Sequence, residues 1–110
     1  MKPFTLAAAA VAALLLQSAA AGASDPVTTA TVHIRNFAYV PVKLSVARGT
    51  VVRFVNDDDE AHTVTATDRS FDSGGLDTGD AWTHRFTAAG TETYFCTLHP
   101  YMRGTIVVTP

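Results

Sequence analysis

A single cysteine, Cys96, supplies all the thiol chemistry of this 110-residue chain, so no disulfide can form within it. Basic residues are scarce as well, with eight Lys and Arg against ten Asp and Glu. They are not clustered, so a nucleic-acid partner has no electrostatic footprint to bind. From Thr28 onward no useful length of sequence carries apolar residues at helical spacing. What remains is a short, mildly acidic domain with no covalent staple. A lone thiol in such a chain should be buried, shared with another chain, or bound to a metal.

The first 23 residues are composed differently from the rest. Lys2 is followed by an uncharged Ala/Leu-rich run through Leu16, and Ala21-Gly22-Ala23 has the small-x-small pattern of a cleavage site. This predicts a secretion signal over residues 1–23 and one domain over residues 24–110. The uncharged run is about long enough to span a bilayer, but its strongly apolar part is confined to Leu14, Leu15 and Leu16. The expectation is therefore export, to the periplasm in a bacterium, with no membrane contact once the signal is removed. Without Lys2 the domain has seven basic and ten acidic residues, a net charge of −3.

Within the domain, the apolar residues alternate with a period of two and are rich in β-branched types, which predicts an all-β, Greek-key two-sheet β-sandwich. Val32 and Ile34 alternate with His33 and Arg35, so His33 is expected to face solvent. Phe37 to Pro41 forms a bend. Val42, Leu44 and Val46, the Arg48-Gly49 turn and the run Thr50–Asn56 read as a hairpin that serves only as scaffold. The charge run Asp57-Asp58-Asp59-Glu60 is either a solvated loop or a docking edge for a basic partner; it lacks the alternating ligands of a calcium loop. The stretch Asp68 to Asp80, with three glycines, reads as a covering connection without a chemical role. Trp82, His84 and Phe86 share one face of a strand, which makes His84 a core or boundary histidine.

The chemistry is concentrated in Cys96-Thr97-Leu98-His99-Pro100-Tyr101-Met102, where a thiolate, an imidazole and a thioether are spaced Cys-x-x-His-x-x-Met. One more imidazole would complete the two-His, one-Cys, weak-Met set that copper uses for electron transfer. With His33 outward and His84 among aromatics, His62 and His99 are left, both at boundaries between loop and strand. Each residue alone has a plainer role, Cys96 as a small buried side chain and Met102 as a core filler. Zinc is the alternative metal, although it has little use for a thioether.

The pattern His62-Thr63-Val64-Thr65, then Gly90-Thr91 leading to Tyr94-Phe95-Cys96-Thr97-Leu98-His99-Pro100-Tyr101-Met102-Arg103-Gly104, resembles the cupredoxin family of small blue copper proteins. The resemblance implies that His62, Cys96 and His99 are equatorial ligands to one type 1 copper and Met102 is the weak axial ligand. It departs from the family at Leu98 and Ala61, where prolines are common, and at Thr63, where many members have an Asn that bridges the two ligand loops. Backbone amides of Thr63 and of a residue after Cys96 are expected to hydrogen-bond the thiolate and tune its potential. The function implied is that of a monomeric, non-enzymatic electron carrier with transient redox partners such as a dehydrogenase or a c-type cytochrome. Copper delivery or buffering in the periplasm is the alternative. A Cys-His nucleophilic enzyme would need an orienting third group that the sequence around Cys96 does not offer.

Overall fold

The structure is a computed structural model that describes residues 26–110; the expected signal segment and its cleavage point lie outside them. Eight strands form: β1 (Thr29–Ile34), β2 (Tyr39–Val40), β3 (Lys43–Ala47), β4 (Val51–Asn56), β5 (Thr65–Ala66), β6 (Ala81–Arg85), β7 (Gly90–Phe95) and β8 (Arg103–Thr109). They make two four-stranded sheets, ordered β2-β1-β4-β6 and β3-β8-β7-β5. The all-β, two-sheet sandwich expected from the alternation is thus what the chain adopts.

The alternating residues do what their period requires. Val32 and Ile34 from β1, Val52 and Phe54 from β4, Tyr94 from β7 and Ile106 and Val108 from β8 are all buried in one core between the sheets. Their polar neighbours on the same strands face outward, as a sheet covered on one face only allows.

The expected hairpin of β3 and β4 does not form. β4 pairs in parallel with β1, Thr29 opposite Val51 through Ile34 opposite Asn56, while β3 pairs in parallel with β8. The Arg48-Gly49 turn is instead a corner between the two sheets. Gly49 takes φ 94°, a value few other residues adopt, and its amide donates to the carbonyl of Phe86. Alternation of apolar residues is the same whether two neighbouring runs share a sheet or face each other across the core, so the sequence pattern could not separate the two cases.

β7 and β8 form an antiparallel ladder in which Tyr94 lies opposite Gly104. A Cβ at position 104 would fall inside the Tyr94 ring, so the glycine is the space in which this fully buried ring sits. Gly104→Ala should overpack the core and cost about 1–3 kcal/mol, measured as a lower urea midpoint than that of the wild-type protein.

His84 behaves as read from the sequence. It stacks on Trp82 with a centroid separation of 5.3 Å and an interplanar angle of 14°, and it contacts Phe71 and Phe86. Burial among these rings lowers its pKa. A histidine kept neutral by burial contributes stability above its ordinary range, near pH 6.5; the contribution is lost as pH falls below that value towards the lowered one. Between pH 7.5 and 5, His84→Phe should therefore lose less stability than wild type, as measured by urea unfolding of the metal-free proteins.

Candidate metal centre

The pairing of β5 with β7 brings the distant candidate ligands together. Thr65 lies opposite Phe95 in an antiparallel register, so the residues before Thr65 run alongside those after Phe95. His62 and Cys96, 34 positions apart, thereby become neighbours. The Cys96 Sγ atom is 3.8 Å from Nδ1 of His62 and 3.7 Å from Nδ1 of His99. The three candidate ligand atoms lie within 4.8 Å of one another. His62 and Cys96 are fully buried and His99 is half-buried, while Met102 is 2% exposed in the same core cluster.

The loop carrying three of the four sequence-predicted ligands closes on itself. His99 N donates to Cys96 O at 3.3 Å, Met102 N to His99 O at 2.9 Å, and Cys96 N to Met102 O at 3.2 Å. These three bonds fix the Cys-x-x-His-x-x-Met spacing as a compact turn between β7 and β8. The thiol receives a hydrogen bond from Thr63 N at 3.3 Å, as expected. The first amide after Cys96 is directed elsewhere: Thr97 N donates to the Thr63 hydroxyl oxygen at 2.9 Å. Thr63 therefore ties the two loops together through its hydroxyl.

His62 is oriented from behind. Its Nε2 is 2.9 Å from a carboxylate oxygen of Asp58, and a carboxylate can only accept. Nε2 therefore carries the proton, leaving the Nδ1 lone pair directed at the Cys96 sulfur. This is the arrangement by which a carboxylate holds a metal-binding histidine in one tautomer. The same Asp58 carboxylate accepts from the backbone amides of Asn36 at 2.6 Å and Phe37 at 2.9 Å. Burial works against its ionisation, but the two amides and His62 outweigh that and hold its pKa below the usual carboxylate range.

Asn36 and Phe37 have φ of 54° and 57° and form the central residues of a two-residue turn between β1 and β2, closed by Ala38 N donating to Arg35 O. Positive φ is uncommon for Asn and a clear outlier for an aromatic residue. The strain is offset by the Asp58 contacts and places Phe37 edge-on to both ligand histidines, 5.2 Å from His62 and 5.1 Å from His99 between centroids. Tyr39, two residues on, donates its hydroxyl to Thr63 O at 2.5 Å and so pins the backbone beside His62.

Several of these roles were not legible in the sequence. Phe37 and Tyr39 read only as part of a bend, yet both touch the site. Of the four carboxylates in the acidic run, Asp57 pairs with His33 at 2.8 Å and Arg35 at 3.1 Å, and Asp58 is used by the site. Asp59 and Glu60 are left exposed. The spacing of Asp58 four residues before His62 was the one available signal. His33 and His84 stay outside the cluster, as predicted. The connection Asp68 to Asp80 is not merely a cover: Leu76 exchanges backbone hydrogen bonds with His62, and Ser73 N donates to Val64 O.

Comparison with known proteins identifies the family. A family model described as a cupredoxin-like domain matches residues 5–108, and the chain belongs to that family. Amicyanin from Paracoccus versutus is 29% identical over 93 residues, 80% of this chain and 70% of that protein. Among solved structures, a purple cupredoxin from Nitrosopumilus maritimus aligns with a TM-score of 0.69 at 30% identity, covering 73% of this chain and 99% of that one. A copper-containing nitrite reductase from Thermus scotoductus aligns with a TM-score of 0.71 at 31% identity, but over 80% of this chain and only 24% of that one. The residues present fit the type 1 copper that the sequence resemblance implies: two imidazoles and one thiol converge, and the buried Met102 belongs to the same hydrophobic core as Cys96.

Asp58→Ala would leave the His62 Nε2 proton and two turn amides without their acceptor. It should cost about 2 kcal/mol of metal-free stability, the scale of losing hydrogen bonds to a charged group. It should also weaken metal affinity about 10–100-fold, as removal of a partner behind a ligand does. Urea unfolding and competitive copper titration measure the two effects.

Proposed function

We propose that this protein is an exported one-electron carrier that binds a single type 1 copper and passes electrons between larger redox proteins. The observation that carries the reading is the convergence of the ligand atoms of His62, Cys96 and His99 within 4.8 Å of one another. These atoms would be the equatorial ligands and Met102 the axial one. Copper held there supplies a one-electron couple, and the donor set suits both oxidation states.

The surrounding residues limit rearrangement. The closed Cys96–Met102 loop, the Asp58 contact behind His62 and the Thr63 tie between the loops hold these side chains in place. A site already shaped in this way needs little reorganisation on gain or loss of an electron. The buried position of His62 and Cys96 keeps water away from the donors. Four protein donors leave no place for a substrate, which supports a carrier rather than an enzyme.

His99 is the ligand nearest the surface, and Phe37, Leu98 and Tyr101 around it are exposed apolar residues at 38%, 55% and 70%. Such a patch suits the small, transient interfaces of redox partners, a dehydrogenase or a c-type cytochrome by chemistry. Asp59 and Glu60 supply the free negative charge near the Asp58 loop, which favours a partner with a basic rim. Lys2, the Ala/Leu run and Ala21-Gly22-Ala23 support delivery to the periplasm. Copper delivery or buffering calls for a metal that leaves readily, and a fully buried His62 and Cys96 disfavour it.

Titration of the protein with Cu(II) should give an intense visible thiolate-to-copper band that saturates at one equivalent. Cys96→Ser should abolish the band and His84→Ala should retain it, and repeated oxidation and reduction should proceed without loss of copper. Colourless binding, or release of the metal on reduction, would contradict the carrier role.

A further inference from the structure

Three threonines and one aspartate form a hydrogen-bonded chain that leads away from the ligand loop. Thr97 N donates to Thr63 Oγ1 at 2.9 Å, Thr63 Oγ1 is 2.9 Å from Thr65 Oγ1, and Thr65 Oγ1 donates to Asp72 Oδ1 at 3.1 Å. The Thr97 hydroxyl also lies 3.3 Å from Thr63 Oγ1. Thr65 is fully buried and Thr63 is 5% exposed, so neither has water as an easy substitute partner.

The direction of every proton in this chain follows from its far end. A carboxylate has no proton to give, so Thr65 must donate to Asp72. A hydroxyl has one proton, so Thr65 can only accept from Thr63. Thr63 has then used its own proton, and its oxygen can face the ligand loop only as an acceptor, for the Thr97 amide and the Thr97 hydroxyl. Asp72 is itself fixed, because the same oxygen accepts from Gly74 N at 2.9 Å, and the segment around it pairs with the strand at Thr65.

The consequence falls on the thiolate. Thr97 directly follows Cys96, and its amide is the neighbouring donor closest in sequence to the sulfur. Held by Thr63 Oγ1, it is not spent on the thiol, which has Thr63 N as its backbone donor. We propose that Asp72, on the connection between β5 and β6, is a positioning residue for the copper ligand loop, acting through the hydroxyls of Thr65 and Thr63 on the Thr97 amide. The proposal rests on the copper reading given above. It assigns to the Asp68–Asp80 connection a part in setting the reduction potential, from a residue that touches no ligand.

The test uses the full chain and four variants. Thr65→Val keeps the shape without the hydroxyl, Thr65→Ser keeps the hydroxyl, Asp72→Ala removes the terminal acceptor at an exposed position, and Ser73→Ala removes a neighbouring loop contact outside the chain of hydroxyls. Two quantities are read: amide hydrogen exchange at Thr97 in the metal-free protein, by NMR, and the reduction potential of the copper-loaded protein, by voltammetry. Thr65→Val and Asp72→Ala should each speed Thr97 exchange about fivefold, the factor that loss of one ordinary hydrogen bond produces. They should displace the potential in the same direction, and combining them should add nothing to Thr65→Val alone. Thr65→Ser should restore wild-type values and Ser73→Ala should leave them unchanged.

Unchanged Thr97 exchange in Asp72→Ala overturns the proposal, as does an equal effect of Ser73→Ala, which would mean that loop docking in general is responsible. If Thr65→Val fails to fold, Asp72→Ala and Ser73→Ala decide the matter. A wild-type protein without the blue band would overturn the copper reading instead, and the metal-free exchange measurement would still judge the hydroxyl chain.

Discussion

The site depends on a very short ladder. β5 contributes only Thr65 and Ala66, paired with Phe95 and Tyr94 of β7, yet this pairing sets His62 and Thr63 beside Cys96 and Thr97. Its register is protected on both sides. Val64 and Ala66 lie in the apolar core while Thr63 and Thr65 are buried and hydrogen-bonded, so a slip of one residue would put hydroxyls into the core and apolar side chains against the polar partners. On the other edge the Asp68–Asp80 connection holds the strand through Leu76, Ser73 and Asp72. Two residues of sheet suffice because packing and a second backbone contact fix the same alignment.

Given that alignment, polar side chains rather than bulk set the ligand geometry. Asp58 has three donors converging on one carboxylate: the His62 ring and the amides of Asn36 and Phe37. One group thereby selects the tautomer of a ligand and stabilises a turn whose backbone is otherwise unfavourable. Phe37 in that turn then walls both histidines. Backbone strain at a functional site is tolerated when its surroundings over-determine it, and here three hydrogen bonds and two aromatic contacts do so.

How far the sequence could be read follows from the range of the interactions involved. The Cys96-to-Met102 motif is local, and so the loop and its three donors were visible in it. The core strands were visible because alternation is also local. The partner of each strand was not: β3 and β4 looked like a hairpin because two sheets facing one core present the same pattern as two strands of one sheet. His62 was reached by elimination and by family resemblance, since nothing in its own neighbourhood marks it. Asp58 was hidden within a run of four acids whose members look alike, and only the fold divides them into a surface ion pair, a site anchor and two free charges. Thr63, noted as a departure from the family, keeps the bridging function because a hydroxyl with its proton engaged elsewhere accepts as an amide oxygen would.

The central claim is that the polypeptide shapes this site and copper occupies it. The direct test is a set of crystal structures of the metal-free, Cu(II) and Cu(I) proteins. The three should superpose at the ligands, with the 3.8 Å separation of His62 Nδ1 from Cys96 Sγ and the Asp58–His62 contact retained to within a few tenths of an ångström. A metal-free protein in which the 96–102 loop is rearranged, or His62 has left Asp58, would contradict it, because the metal would then be organising the ligands.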